Sequence, residues 1–378
     1  MHILLLVKDF AEGTEFNKDG LPTKSGAEFH AENHALQLIK RGHKVTIMTR
    51  KRHFFVKSRE IYQGIDLVRL HEPFRGLELI IRLFTTHRNI DAVYIIGKPK
   101  FVVWAILWAK IFGKNNVLSL TGKAELFNSV DNWRTRILTK CKHYIALSQE
   151  IKRGFINQGQ IKEDKIVVLG QGIDTNKYKP PTVEEKIRFR NEYGIEKDAL
   201  ILLFCARLVP DKGIDTLKKV WEKIYTLYPN SQLIVVGGGR NDIVTDLKKL
   251  SKTLDNSIIL TGEVNNTRKY YCLGDVNIFP SHHEGLPTSL MEAMSCGLPS
   301  VVSDIGGCED LVENKVSGLR VPVDDVQGFI DGIRYLFDNK DKRHLWGNAA
   351  SNFIKNNCDY EVVIKKLEKI ISENKNEG

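Results

Sequence analysis

Long apolar runs are missing from this 378-residue chain. The longest unbroken one, Phe101 to Ala109, covers nine residues, whereas a helix that crosses a bilayer needs about 20. The first residues, Met1-His2, carry no Lys or Arg, and the apolar stretch after them stops at Lys8 and Asp9. The sequence therefore predicts no secretory signal. Cysteine is sparse: Cys141, Cys205, Cys272, Cys296, Cys308 and Cys358 are scattered without a CxxC pair. That excludes a disulfide scaffold and points to reduced, buried thiols in a cytoplasmic protein. HExxH, GxSxG and a Walker A loop are all absent, which removes the common zinc-protease, hydrolase and P-loop readings. His282-His283-Glu284 has no further ligand at metal spacing, so no metal is expected. No recognisable RNA or DNA module is present, and no nucleic-acid partner is expected.

What is there is an ordinary globular composition, 42% hydrophobic and 27% charged, long enough for two or three domains. The net charge of +10 is unevenly placed. Residues 1–180 hold 30 Lys and Arg against 17 Asp and Glu, while the remainder is close to neutral. A basic half suits phosphates, an anionic membrane face or nucleic acid.

Short runs of Val, Ile and Leu without alternation recur between amphipathic stretches. His2–Val7, Lys44–Met48, Ile65–Leu70, Ala92–Ile96, Val117–Thr121, Tyr144–Leu147 and Lys165–Leu169 read as strands, with helices at Ala27–Lys40 and Leu77–Arg88. The pattern restarts at Leu200–Cys205 and continues through Gln232–Val236, Ser257–Leu260, Val276–Phe279 and Ser300–Val302. Unalternating strands are covered on both faces, the mark of parallel sheets with helical crossovers. The predicted fold class is α/β: two doubly wound Rossmann-like domains facing across a cleft. The boundary falls in the Gly- and Pro-rich segment 170–181, giving domains 1–175 and 176–358.

Ligands of such sheets sit beyond the carboxyl ends of the strands, and three strand-to-helix turns there carry polar chemistry. The first is Ser281-His282-His283-Glu284-Gly285-Leu286-Pro287-Thr288-Ser289, with Glu292 further on. Pro287 suits the first helical position, and the amides after it form an anion site at a helix N-terminus. Glu284 lies near that positive end, and Glu292 is placed to accept a pair of hydroxyls. The same spacing also fits an N-terminal charge and an exposed helical residue. The second turn, Ala206 to Gly213, holds Arg207 and Lys212. Two cations at a cleft mouth suit a diphosphate leaving group, whose charge grows in the transition state; a solvated turn with an Arg–Asp pair is the plainer alternative. The third, Gly237-Gly238-Gly239, allows backbone to approach a ligand closely, and Val264 follows the next strand. In the first half Gly26 opens a helix, where its backbone can approach an anion; a helix cap with Ser25 as N-cap is the plainer reading. Arg50-Lys51-Arg52 begins a loop of cations and aromatics, and Arg75 to Arg88 reads as a helix with apolar residues on one side and Arg75, Arg82 and Arg88 in solvent. These suit an anionic membrane or a phosphorylated acceptor, or simply a solvated rim. Trp104 and Trp108, four apart, read as core.

Taken together, the pair Glu284 and Glu292 within EGLPTSLMEAMSCGLPSVVSD, the ARLVPDKG turn at 206–213, Gly172-Ile173-Asp174 and Ser25-Gly26-Ala27-Glu28 resemble the retaining glycosyltransferases of family four, with the glycosyltransferase-B fold. The resemblance implies a nucleotide-sugar donor, a UDP-sugar by preference, held mainly by the C-terminal domain. Arg207 and Lys212 would take the diphosphate, Glu292 the ribose and Glu284 the sugar hydroxyls. Backbone from Gly285 through Leu286, Pro287 and Thr288 to Ser289 would complete the phosphate site, Val264 would touch the base, and Gly26 would approach the phosphates. The acceptor would be a glycan or glycolipid precursor of a cell envelope, met by an enzyme that is cytoplasmic or peripheral on the inner face of the plasma membrane. A small soluble acceptor and a catalytically idle binding protein are the alternatives. The C-terminal helix, 359–378, would pack back onto the first domain. The family often has a histidine after the strand that reads here Leu118-Ser119-Leu120; Thr121 or Gly122 takes that place.

Overall fold

The computed structural model describes residues 1–10, 26–51, 56–121, 133–196 and 198–373. These form two units, Met1–Gln171 joined by the C-terminal segment from Tyr360, and Gly172–Asp359. The division lies at Gln171/Gly172 rather than after Thr175. Ile173 bridges to Asp359, and the amide of Thr175 donates to the Asp359 carboxylate. Asp359 accordingly belongs to the second unit, not to the C-terminal helix.

The first unit contains strands β1 His2–Val7, β2 Lys44–Arg50, β3 Arg59–Tyr62, β4 Ile65–Leu70, β5 Ala92–Ile96, β6 Asn115–Leu120, β7 His143–Ala146 and β8 Ile166–Val168. Its described helices are α1 Gly26–Lys40, α2 Arg75–Phe84, α3 Val102–Ile111, α4 Trp133–Leu138 and α5 Gln149–Asn157. The sheet order is β3-β4-β2-β1-β5-β6-β7-β8. Every pairing is parallel except β3 with β4. Leu4, Leu5 and Leu6 are all fully buried, as strands covered on both faces must be. The antiparallel edge strand β3, which begins where the basic loop from Arg50 ends, is absent from the strands read from the sequence. A two-residue turn, Gln63-Gly64, joins it to β4 with positive φ at both residues, the geometry a tight hairpin requires.

The second unit contains α6 Val183–Glu192, β9 Leu200–Cys205, α7 Ile214–Leu227, β10 Ser231–Val236, α8 Asn241–Thr253, β11 Ile258–Gly262, α9 Arg268–Leu273, β12 Val276–Phe279, α10 Thr288–Ser295, β13 Ser300–Ser303, α11 Gly306–Glu309, β14 Gly318–Val321, α12 Val326–Asp338 and α13 Lys340–Asn357. All its strands are parallel, in the order β11-β10-β9-β12-β13-β14. The order reverses between β9 and β12, and in such sheets the crevice at the reversal is where ligands bind. Alternate residues of β9 feed two cores: Ile201 and Leu203 pack with Leu290 and Met294 of α10, Leu202 and Phe204 with Leu217 and Trp221 of α7.

Helix α14, Tyr360–Ser372, closes one face of the first sheet. Val363, Ile364 and Leu367 share a core with Ala31, Ala35 and Leu38 of α1. The Asn115 side-chain amide donates to the carbonyls of Ile370 and Ile371 at 2.8 Å each, satisfying groups that a helix end leaves bare. Arg41 and His43 bond to Glu368.

A buried polar cluster sits on α1. His30 and His34 are fully buried with ring centroids 4.1 Å apart, and both bond to the Tyr94 hydroxyl at 3.1 Å. Burial disfavours the charged imidazoles: His34 is lowered to about 4, and His30 well below its ordinary value. Between pH 6.5 and 4 the unfolded chain binds protons at these positions that the folded chain does not, so stability falls as pH falls through that window. The melting temperature is expected to drop by roughly 5–10 °C across it, and His34→Gln should reduce that slope. An equal slope in the variant would show that the cluster does not carry the dependence.

Candidate active site

The strands end where the chemistry is, and glycines hold the turns together. Gly213 has φ +67°, and a Cβ there would lie 1.9 Å from the Pro280 carbonyl oxygen. The turn after β9 is therefore seated directly on the turn after β12. A Cβ on Gly237 would meet the Ala206 carbonyl oxygen at 2.1 Å, and one on Gly239 that of Leu208 at 2.2 Å. Hydrogen bonds close the same contacts: Leu208 N–H to Gly238 O at 2.8 Å, Arg240 N–H to Leu208 O at 3.0 Å, and His282 N–H to Asp211 O at 2.9 Å. Only backbones without side chains can approach this closely.

This packing brings Lys212 and Glu284 together from opposite sides of the strand reversal. Lys212 Nζ lies 2.5 Å from Glu284 Oε1, and the two side chains are only 16% and 15% exposed. Arg207, on the same turn, is exposed. It forms no Arg–Asp pair; among the described residues its side chain has no ion-pair or hydrogen-bond partner. The pair of the plainer alternative is thus absent, while the exposure of Arg207 is also that of a solvated turn.

Helix α10 begins at Thr288, with Pro287 as its N-cap in an extended conformation. Proline thus stands one position before the first helical residue, because its ψ of 114° still belongs to the incoming turn. Met291 N–H is the first amide to bond within the helix, to Pro287 O. The amides ahead of it form the positive end of the helix. Gly285, Leu286, Thr288 and Ser289 are partly exposed and Pro287 is buried.

Glu292 is not the exposed helical residue that its spacing also allowed. Its Oε2 accepts from the Tyr271 hydroxyl at 2.9 Å and from Thr267 Oγ1 at 3.3 Å. Burial raises its carboxyl above the ordinary range, against the hydroxyls of Tyr271, Tyr178 and Thr267 that favour the charged form. Val264 and Leu286 are partly buried against the core beneath α10. Gly238 lies beside Glu263, where a Cβ would be in ordinary contact at 3.4 Å.

Sequence reasoning missed the turn after β13. A Cβ on Gly307 would strike the Gly285 carbonyl oxygen at 2.7 Å, so α11 abuts the backbone that carries Glu284. The signal was available: Gly306-Gly307 follows a strand as Gly237-Gly238-Gly239 does. His282, beside Glu284, bonds to Asp324 at 3.0 Å. No group of three His, Cys, Asp or Glu side chains able to hold a metal converges among the described residues.

The first-unit candidates stand differently. Gly26 opens α1, and a Cβ there would meet nothing within 4 Å. Arg50 chelates Asp9, Lys51 Nζ donates to Ser58 at 3.2 Å, and Arg82 bonds to Glu78 at 2.8 and 3.0 Å. Arg75 pairs with Glu72. These cations are engaged within the fold rather than presented bare. Arg52, Ser25 and Gly122 lie outside the described residues. Trp108 is buried as expected, but Trp104 is exposed.

Two family models match the chain: Glycosyltransferase Family 4 over residues 24–177, and Glycosyl transferases group 1 over 185–353. An Escherichia coli UDP-Gal:alpha-D-GlcNAc-diphosphoundecaprenol alpha-1,3-galactosyltransferase is 28% identical over 64% of this chain, a match that spans 62% of that protein. A glycosyltransferase structure from Rickettsia africae superposes with TM-score 0.83 at 20% identity, covering 100% of this chain and 99% of that one. Anabaena HepE in complex with UDP does so with TM-score 0.77 at 19% identity, covering 98% and 100%.

Gly213 and Gly262 offer a controlled comparison. Both have φ +67°, but a Cβ at Gly262 meets nothing within 4 Å. Gly262→Ala should cost about 1–2 kcal/mol, the left-handed strain alone. Gly213→Ala should cost at least about 2 kcal/mol more, because the Pro280 carbonyl must move. Urea unfolding of both variants measures this, and equal losses would show that the two turns are not locked together.

Proposed function

From its place among the glycosyltransferases with the GT-B fold, we propose that this protein transfers a sugar from a nucleotide-sugar donor to a glycan or glycolipid precursor of a bacterial cell envelope. The donor is a UDP-sugar, the anomeric configuration is retained, and no metal ion takes part. One observation carries the reading. At the strand reversal of the second sheet, Arg207, the Lys212–Glu284 pair and the start of α10 stand on turns at one sheet edge. The UDP assignment draws on the named donor of the galactosyltransferase relative and on the UDP held by the HepE structure.

The chemistry follows from that edge. As the bond between the anomeric carbon and the diphosphate oxygen breaks, negative charge builds on the diphosphate. Arg207, Lys212 and the leading amides of α10 are fixed donors for that charge, so little reorganisation is needed as it develops. The acceptor hydroxyl bonds to the anomeric carbon on the same face, and its proton passes to an oxygen of the departing diphosphate. Glu284, oriented by Lys212 through one oxygen, accepts from hydroxyls of the donor sugar. Glu292, held by Tyr271 and Thr267, accepts from the ribose, and Val264 with Leu286 offers apolar contact to the base.

Titration calorimetry with UDP tests the site. Arg207→Ala and Glu292→Ala should each weaken UDP binding or turnover at least tenfold, about 1.4 kcal/mol. Arg207→Ala should leave affinity for uridine, which lacks phosphate, unchanged. If both variants bind and turn over as the parent does, the assignment fails. A product of inverted anomeric configuration in the proton NMR spectrum would refute retention.

A further inference from the structure

We propose that the outer face of α2 and α3 docks this protein onto an anionic lipid bilayer. The expectation for α2 was apolar residues inward and arginines outward, and the structure departs from it. Only Leu79 and Leu83 are buried, while Phe74, Leu77, Ile81 and Phe84 point to solvent along one stripe. Trp104, Ile111 and Phe112 continue it on α3, and all seven side chains are between 39 and 75% exposed. The two stripes form one surface, joined at both ends. At one end the Trp104 indole lies against Gly76, where a Cβ would meet its Nε1 at 2.4 Å. At the other the Phe84 and Phe112 rings meet edge to face at 5.5 Å.

An exposed apolar surface spread over two helices is rare on a soluble monomer and marks an interaction site. Its border identifies the partner. Arg88, Lys100 and Lys110 are exposed cations at the ends of the two helices, without an ion pair among the described residues. Helix α3 contains no acidic residue, and the carboxylates on the α2 side, Glu72 and Glu78, are neutralised by Arg75 and Arg82. An apolar, aromatic face bordered by unpaired cations matches the acyl boundary and anionic headgroups of a bilayer. A second copy of this chain fits it poorly, because a twofold contact would set the cationic borders against each other. No described helix is long and apolar enough to cross a membrane. A lipid-borne acceptor would lie on the same surface, and to that extent the proposal rests on the transferase reading.

Co-sedimentation with vesicles of 70% phosphatidylethanolamine and 30% phosphatidylglycerol tests it. The protein should bind these at least tenfold more tightly than pure phosphatidylcholine vesicles, less so at high salt, with a blue shift in tryptophan emission. Leu77→Ser/Ile81→Ser, and separately Ile111→Ser, should lower partitioning at least fivefold. These positions are exposed, so folding and the thermal shift produced by UDP should be unchanged. Absence of binding by the parent protein, or unchanged binding by both variants, overturns the proposal. A dimer in sedimentation velocity that Leu77→Ser/Ile81→Ser converts to monomer also overturns it, in favour of a contact between copies. Vesicle binding that those variants abolish, with no response to UDP in any of the proteins, supports the docking face and sinks the transferase reading instead.

Discussion

The close seating of one backbone turn on another governs the second unit. Gly213 lies so near the Pro280 carbonyl that no side chain fits between them, and this contact spans the place where the strand order reverses. The reversal by itself only leaves a gap between two loops going opposite ways. The glycine contact converts the gap into a fixed geometry, setting Lys212 2.5 Å from Glu284. Gly237, Gly239 and Gly307 extend the same device to the neighbouring turns. Flexible lysine and arginine stems would otherwise lose entropy on gathering around an anion. Here the backbones that carry them are ordered before any ligand arrives, which is how preorganised electrostatics acts.

Glu292 obeys a different logic. It is anchored by hydroxyls rather than by a cation, and burial raises its carboxyl. Glu284 is instead paired directly with Lys212. Two acids eight positions apart thus occupy unlike environments, one beside a lysine ammonium and one among neutral hydroxyl donors. That difference follows from which elements surround them: the turn after β9 beside Glu284, and α9 with Tyr178 beside Glu292.

Much of the sheet architecture was legible in the sequence, because strands buried on both faces write themselves as unbroken runs such as Leu200–Cys205. The turns at Arg207, Glu284 and Gly238 were legible for a related reason: glycine, proline and charge cluster where a strand hands over to a helix. What escaped had a weaker signature. β3 is a half-exposed edge strand rich in charge, Arg59-Glu60-Ile61-Tyr62, and reads as loop until its partner is known. β14 opens on Gly318, whose closeness to Ser300 is a tertiary fact. The orientation of α2 also escaped. Its sequence is apolar on two sides, and periodicity alone does not say which side meets the core.

The charge asymmetry can now be placed. The basic half holds an excess of 13 positive charges over its acids, yet several of its arginines are internally satisfied. Arg50 bonds to Asp9, Arg59 to Asp66, Arg69 to Glu60 and Arg82 to Glu78. A paired arginine contributes structure but little net field. The excess is instead carried by dispersed cations such as Arg88, Lys100 and Lys110, none of which forms an ion pair among the described residues. Dispersed charge acts over about a Debye length, ~8 Å at physiological salt, and cannot alone select a geometry. An apolar face acts only on contact but does so strongly, at about 25 cal/mol per Å² removed from water. On the proposed bilayer the labour would divide: scattered cations would bring an anionic surface near, and the α2–α3 face would decide how the protein lies on it. A cluster of paired arginines performs neither task, so a basic stretch in a sequence marks a binding face only where its carboxylates are absent.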